Sequence, residues 1–155
     1  MTSTARASSE PRPLWTLRSA RVEDAEAVVA LWEAADAEPT LTDEPTSVAA
    51  LSAYDPEALI VAEVDGDVVG SLIVGFDGWR ANLYRLAVHP RVRRHGLGLA
   101  LVAEAEARLT KRGARRANAL VVADHLHAVR FWEAAGYGRD PRMGRYVKDL
   151  EEGDA

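Results

Sequence analysis

The chain has 155 residues, a formal net charge of −5 and no cysteine. That length suits one domain with a proper core, and the absent cysteines exclude a disulfide framework, a thiolate nucleophile and a thiolate metal site. A hydrophobic share of 48% beside 28% charged residues is ordinary for a soluble globular protein, and the acidic balance argues against broad nucleic-acid binding, which needs a basic footprint.

Residues 1–13 are small and polar with two prolines and no apolar signal core, so they are expected to be a disordered leader. Without a signal core or a membrane-length apolar run, the default location is the cytoplasm. Leu14 to Arg18 alternates as a first strand does. Acid at Glu23 and Asp24 opens a helix whose buried face is Val28, Leu31, Trp32 and Ala35. Pro39 and Pro45 bracket a loop, and Val48 to Tyr54 suits a second helix that stops before Asp55-Pro56. Leu59–Val64 and Val68–Phe76 form a hairpin about Asp65-Gly66, with Gly70 and Gly75 as bulge candidates. After the Asp77-Gly78-Trp79-Arg80 turn come a strand from Leu83 to Val88, a turn and a long helix. Asn118–Val122 reads as a buried parallel strand. A brief helix then stops at Gly136, and Tyr137–Asp140 with Met143–Asp149 suggests a closing hairpin. The expected domain is residues 14–149, with residues 150–155 as an acidic tail.

The richest stretch lies between the fourth strand and the long helix. His89 to His95 is a turn opened by Pro90 and crowded with Arg91, Arg93 and Arg94. Gly96-Leu97-Gly98 leads into Leu97, Leu101, Ala105 and Leu109 at helical spacing, and Lys111-Arg112-Gly113 closes the helix. The first N–H groups of a helix lack internal partners and carry partial positive charge, while glycines let an anion approach closely. A phosphate-bearing ligand fits this arrangement. A plain solvated turn is the competing reading. The third glycine of a dinucleotide fingerprint and the Gly-Lys-Ser/Thr ending of a P-loop are both missing.

Arg93-Arg94-His95-Gly96-Leu97-Gly98 resembles the Arg/Gln-x-x-Gly-x-Gly/Ala signature of the GNAT family (Gcn5-related N-acetyltransferases). It follows a strand ending Leu-Ala-Val-His-Pro, also typical of that family. About forty residues on, Ala128 to Tyr137 (AVRFWEAAGY) is similar to the family's Ala-x-x-Phe-Tyr-x-x-x-Gly-Phe segment. The resemblance covers roughly Leu14 to Asp149 and is nearest to the small bacterial branch close to the ribosomal-protein N-terminal acetyltransferases. It implies a single-domain α/β fold with a mixed central sheet flanked by helices, splayed between the Leu83–Val88 and Asn118–Val122 strands. It implies acetyl-CoA as co-substrate and no metal. The coenzyme would be held by Leu86, Ala87 and Val88, by Arg93, Arg94, His95, Gly96, Leu97, Gly98 and Leu99, and by His125, Phe131 and Trp132. The Val88 N–H would polarise the thioester oxygen. The family commonly forms homodimers, although oligomeric state is not legible in these residues.

Proton handling departs from the family pattern. Trp132 stands where the family often has a tyrosine to protonate the leaving thiolate. Releasing a thiol of pKa near 8.5 as thiolate at pH 7 costs about 2 kcal/mol, a rate penalty only. Tyr137 and Tyr84 are substitute acids, neither placed by the motif. The Leu83–Val88 strand lacks the usual Glu, which favours an acceptor of lower pKa: neutralising a lysine-like amine costs roughly 4–5 kcal/mol, an α-amine about 1–1.5. Trp79, Arg80 and Arg85 are candidate acceptor contacts. Asp124, His125 and His127 make a weak metal-ligand set on one loop.

The functional expectation is N-acetyl transfer to a primary amine, either a protein N-terminus or a small molecule. A non-catalytic acyl-CoA-binding module is the alternative from another class.

Overall fold

The computed structural model describes residues 14–150, so the expected leader and most of the acidic tail lie outside the described residues. Two compact units meet in sequence at Val121 and Val122. The first contains β1 (Thr16–Ser19), α1 (Ala25–Ala34), α2 (Pro45–Tyr54), β2 (Leu59–Val64), β3 (Asp67–Phe76), β4 (Ala81–Val88), α3 (Leu97–Lys111) and β5 (Ala117–Ala119). The second contains α4 (Leu126–Ala134). The five strands form one sheet in the order β1-β2-β3-β4-β5. Neighbours are antiparallel except for β4 and β5, which run parallel. This is the mixed α/β architecture the resemblance implies.

The β2–β3 hairpin forms about its Asp-Gly pair because both turn residues take positive φ, 50° at Asp65 and 84° at Gly66, as a two-residue type I′ turn requires. Alternation sends Leu59, Val61, Ile73 and Ala87 to one face, where they join Val28, Leu31, Trp32 and Val48 of α1 and α2 in the core. Gly70 and Ala62 turn to the other face, against Leu97 and Leu101 of α3. The register shifts twice. Val69 is an extra residue on β3, beside Gly70, because pairing passes from Ala62↔Gly70 to Glu63↔Val68. On β4, pairing passes from Ser71↔Ala87 to Ile73↔Tyr84, so Arg85 and Leu86 together oppose Leu72.

Three local expectations need correction. The first strand starts at Thr16, not Leu14. β5 is shorter than Asn118–Val122 and is only partly covered, because its ladder to β4 ends at Leu83↔Ala119 and leaves Leu120 and Val122 exposed. The closing hairpin is absent among the described residues. Asp140 does hold a turn, its carbonyl accepting from the Met143 N–H at 3.3 Å and its Oδ1 from the Arg142 N–H at 3.0 Å. No strands flank that turn, since no ladder covers its apolar positions and Tyr146 remains 98% exposed.

Two features fix the frame around the future site. A Cβ on Gly70 would stand 3.0 Å from Leu97 Cδ2 and 3.2 Å from Leu101 Cδ1. The first turn of α3 is therefore seated on a bare stretch of β3. Gly70→Ala should destabilise the fold by about 1–3 kcal/mol through overpacking, read by urea unfolding. At the sheet's other side, Arg18 bridges Asp24 at 2.7 Å and Glu63 at 3.0 Å, tying β1 to the entry of α1. The Arg18 guanidinium holds the Asp24 carboxyl below its ordinary value. A depressed carboxyl contributes stability above its unfolded pKa and loses it as pH falls through the folded one. Asp24→Asn should thus lower the melting temperature at pH 7, with the gap to wild type closing below about pH 4.

Candidate active site

The loop from β4 to α3 is built from constrained backbone. The His89 N–H donates to the Val69 carbonyl at 2.8 Å, and a short 3-10 turn, Pro90–Val92, follows. Arg94 then takes φ 69° and Gly96 φ 81°, both left-handed, before α3 begins at Leu97. Left-handed residues set among others in a turn can direct consecutive N–H groups inward, as in an anion-binding concavity. Among the described residues, no protein acceptor meets the N–H groups of residues 94–99, and Gly96 supplies no side-chain cap.

The arginines divide their labour. Arg91 pairs with Asp67 at 3.1 Å. Arg93 folds back, its Nε donating to the Val88 carbonyl at 3.2 Å and Nη2 to the Ala35 carbonyl at 3.4 Å. It braces the turn against β4 and the C-terminus of α1. Arg94 is exposed and has no ion-pair partner among the described residues, so its charge is free for an anion.

Beside this turn, one edge of β4 is open. The last contact with β5 is the Leu120 N–H donating to the Leu83 carbonyl at 3.0 Å. Because the His89 N–H faces β3, alternation turns the N–H of Val88 to the opposite edge, beyond the end of the β4–β5 ladder. Leu86, Ala87 and Val88 therefore lie at an edge that can accept an extended, amide-bearing ligand by strand-like bonds. Open edge and anion nest are consecutive in the chain.

Arg85 sits at the bulge, in left-handed backbone at φ 59°. Its Nη2 donates to Asp43 Oδ2 at 2.6 Å and to Thr40 Oγ1 at 3.0 Å, and its guanidinium lies 5.2 Å from the centre of the Trp32 ring. Trp32 Nε1 donates to Ser71 Oγ at 2.9 Å, and Ser71 Oγ donates to the Arg85 carbonyl at 3.3 Å. Thr40, Asp43 and Ser71 were not singled out from sequence. The available signal was Ser71 itself, a hydroxyl in an otherwise apolar buried strand, which demands a hydrogen-bond partner.

Tyr84 is not brought to the Val88 end. A Cβ on Gly75 would meet its hydroxyl at 3.7 Å, and Gly75 pairs with Asn82, six residues or roughly 20 Å along the strand from Val88. Burial also pushes its phenol above the ordinary value. Trp79 and Arg80 occupy the exposed β3–β4 turn, with the guanidinium 4.3 Å from the indole. The N–H groups of Arg80 and Trp79 bond Asp77 and hold its carboxyl low.

The remaining candidates fall in the second unit. His125 caps α4, its Nδ1 accepting from the Ala128 N–H at 3.1 Å. Phe131, Trp132 and Tyr137 form an edge-to-face set, with ring centres 5.4 and 5.0 Å apart. Trp132 is buried. Among the described residues no group of three or more His, Cys, Asp or Glu is arranged to hold a metal ion, and no helix is long and apolar enough to cross a membrane.

A strand with a freed edge thus runs straight into a glycine-led turn whose N–H groups, at a helix start, meet no protein acceptor among the described residues. Residues 26–137 match the acetyltransferase (GNAT) family. An acetyltransferase of Pectobacterium atrosepticum is 35% identical over 121 residues, covering 78% of this chain and 86% of that protein. Ard1 from Thermoplasma volcanium superposes with a TM-score of 0.71 at 25% identity, covering 79% of this chain and 82% of that one. The diaminobutyrate acetyltransferase of Paenibacillus lautus, solved with its substrate and coenzyme A, shares the fold at TM-score 0.68 and 18% identity, covering 77% and 73%. The chain belongs to the GNAT family, a family of acetyl-CoA-dependent acetyltransferases.

The free charge of Arg94 supplies a direct test. Arg94→Glu should weaken coenzyme A binding by about tenfold or more, since each unit pair at ~4 Å in water contributes about 1 kcal/mol. Calorimetric titration reads that loss. The melting temperature should barely move, because the side chain is exposed.

Proposed function

We propose that this protein transfers the acetyl group of acetyl-CoA directly to a primary amine. The observation that carries the reading is the continuity of the open β4 edge with the unpartnered N–H groups of residues 94–99. Those N–H groups and Arg94 would take the pyrophosphate. The edge at Leu86–Val88 would bond the pantetheine amides, with the Val88 N–H at the thioester oxygen. The family resemblance implies His125, Phe131 and Trp132 as further coenzyme contacts, and Tyr137 is the proposed acid for the leaving thiolate. Arg93 braces the turn through Nε and Nη2, and its remaining N–H donors and charge are proposed to face the coenzyme.

No covalent acyl-enzyme is required. The amine attacks the thioester carbon, the C–S bond breaks, and the amine's proton leaves to water or base while the thiolate is protonated. Positioning supplies most of the acceleration. β4 carries no carboxylate, so an α-amine is the acceptor that this site suits best, either on a protein N-terminus or on a small molecule. Trp79 and Arg80 are proposed contacts for it. The charge of Arg85 is met by Asp43, so Arg85 is proposed to hold the strand rather than an acidic acceptor. The inferred compartment is the cytoplasm.

The reading is tested by thiol release from acetyl-CoA against peptides with free N-termini and small amines, beside Arg94→Glu. Turnover that is lost in the variant and rises with pH up to about 8, the range of an α-amine, is the expected result. Tight coenzyme binding without turnover on any acceptor would favour the non-catalytic acyl-CoA-binding module. Absence of coenzyme binding would refute both.

A further inference from the structure

The strand that offers the open edge contains one residue whose backbone state must be imposed on it. Arg85 has left-handed φ at the point where it and Leu86 share Leu72 as partner. A side-chain-bearing residue persists there only when its surroundings overdetermine it. They do so through both ends of the residue. The side chain is clipped by Asp43 and Thr40, which belong to the connection between α1 and α2, and lies against the Trp32 ring. The main-chain carbonyl is held by Ser71, itself bonded by Trp32. The clip is shielded: the Arg85 and Asp43 side chains are 13% and 18% exposed. Asp43 is in turn fixed by the Thr40 N–H at 3.0 Å and hydroxyl at 2.8 Å.

We infer that Arg85 is a positioning residue for the thioester, holding through Asp43, Trp32 and Ser71 the bulge that aims the edge N–H groups at the acyl carbonyl. The inference rests on the acetyl-CoA reading above and deepens it. Arg85 touches neither reactant. Its effect passes through the strand, because losing the bulge would slip β4 by one residue and exchange which N–H groups face the open edge. The residues 94–99 that would take the pyrophosphate lie beyond His89, which has its own tether to Val69. Losing the bulge would therefore disturb the bonds of the Leu86–Val88 edge while leaving phosphate capture in place.

The experiment uses the full chain with two probes: coenzyme A by calorimetry, and acetyl-CoA carrying 13C at the thioester carbonyl by infrared difference spectroscopy. Wild type should bind coenzyme A and lower the carbonyl stretch relative to free acetyl-CoA. Arg85→Met, which keeps the stem and removes the guanidinium, should lose most of the frequency shift while still binding coenzyme A through residues 94–99, weakened by no more than about tenfold. Arg85→Lys, which keeps the charge but not the fork, should recover part of it. A folded Arg85→Met with the full shift would overturn the inference, as would loss of coenzyme A binding altogether. If Arg85→Met does not fold, Ser71→Ala reads the same bulge through its other tether: loss of the shift supports the assignment and retention overturns it. A wild type that binds coenzyme A without any shift removes the thioester contact and the inference with it. A wild type that does not bind coenzyme A removes the acetyl-CoA reading as a whole.

Discussion

The structure turns on how far two parallel strands stay paired. β4 and β5 share three register pairs, from Ala81↔Ala117 to Leu83↔Ala119, and then the ladder ends. An unpaired strand edge is normally a liability, because its N–H and C=O groups invite another chain. Here the edge leads into a loop that ends in N–H groups, those of residues 94–99, with no protein acceptor among the described residues. One ligand with amides along an arm and a phosphate group at its end can satisfy both sets. The bulge on β4 and the left-handed residues Arg85, Arg94 and Gly96 are the local costs of that arrangement.

Those costs are met by ordinary packing. Gly70 leaves room for Leu97 and Leu101, so α3 starts close to the sheet and its N-terminus is fixed in place. Arg93 spans from the turn to the Val88 and Ala35 carbonyls, locking loop, strand and helix end together. On the opposite face, the core of α1 and α2 places Trp32 where its indole N–H can reach Ser71. Folding and site preorganisation thus use the same residues, which is why single changes near the site carry readouts in both.

Legibility in the sequence followed the range of the physics. Local signals were strong: Asp65-Gly66 announced its turn, the spacing of Leu97, Leu101, Ala105 and Leu109 announced α3, and Gly96 ahead of it announced left-handed backbone. The motifs were specific enough to identify the family, and the family match bears that out. Signals that depend on distant partners were silent. Nothing local tells that Arg93 will reach back to the Val88 and Ala35 carbonyls, or that Arg85 will find Asp43 across 42 positions of chain. Alternation alone suggested a hairpin after Tyr137, but strands need a covered face, and Met143, Tyr146 and Val147 have none. Asn118–Val122 looked like a full buried strand because its apolar run cannot report where its neighbour's ladder ends.

The most direct test of the account follows the backbone itself. Amide 1H–15N spectra of the full chain, recorded while acetyl-CoA is added, would report each N–H named above. The account predicts that the largest shifts fall on Leu86 and Val88 and on residues 94–99, with Trp79 and Arg80 little changed until an acceptor amine is present. Shifts confined to the β3–β4 turn, with residues 94–99 unmoved, would contradict it.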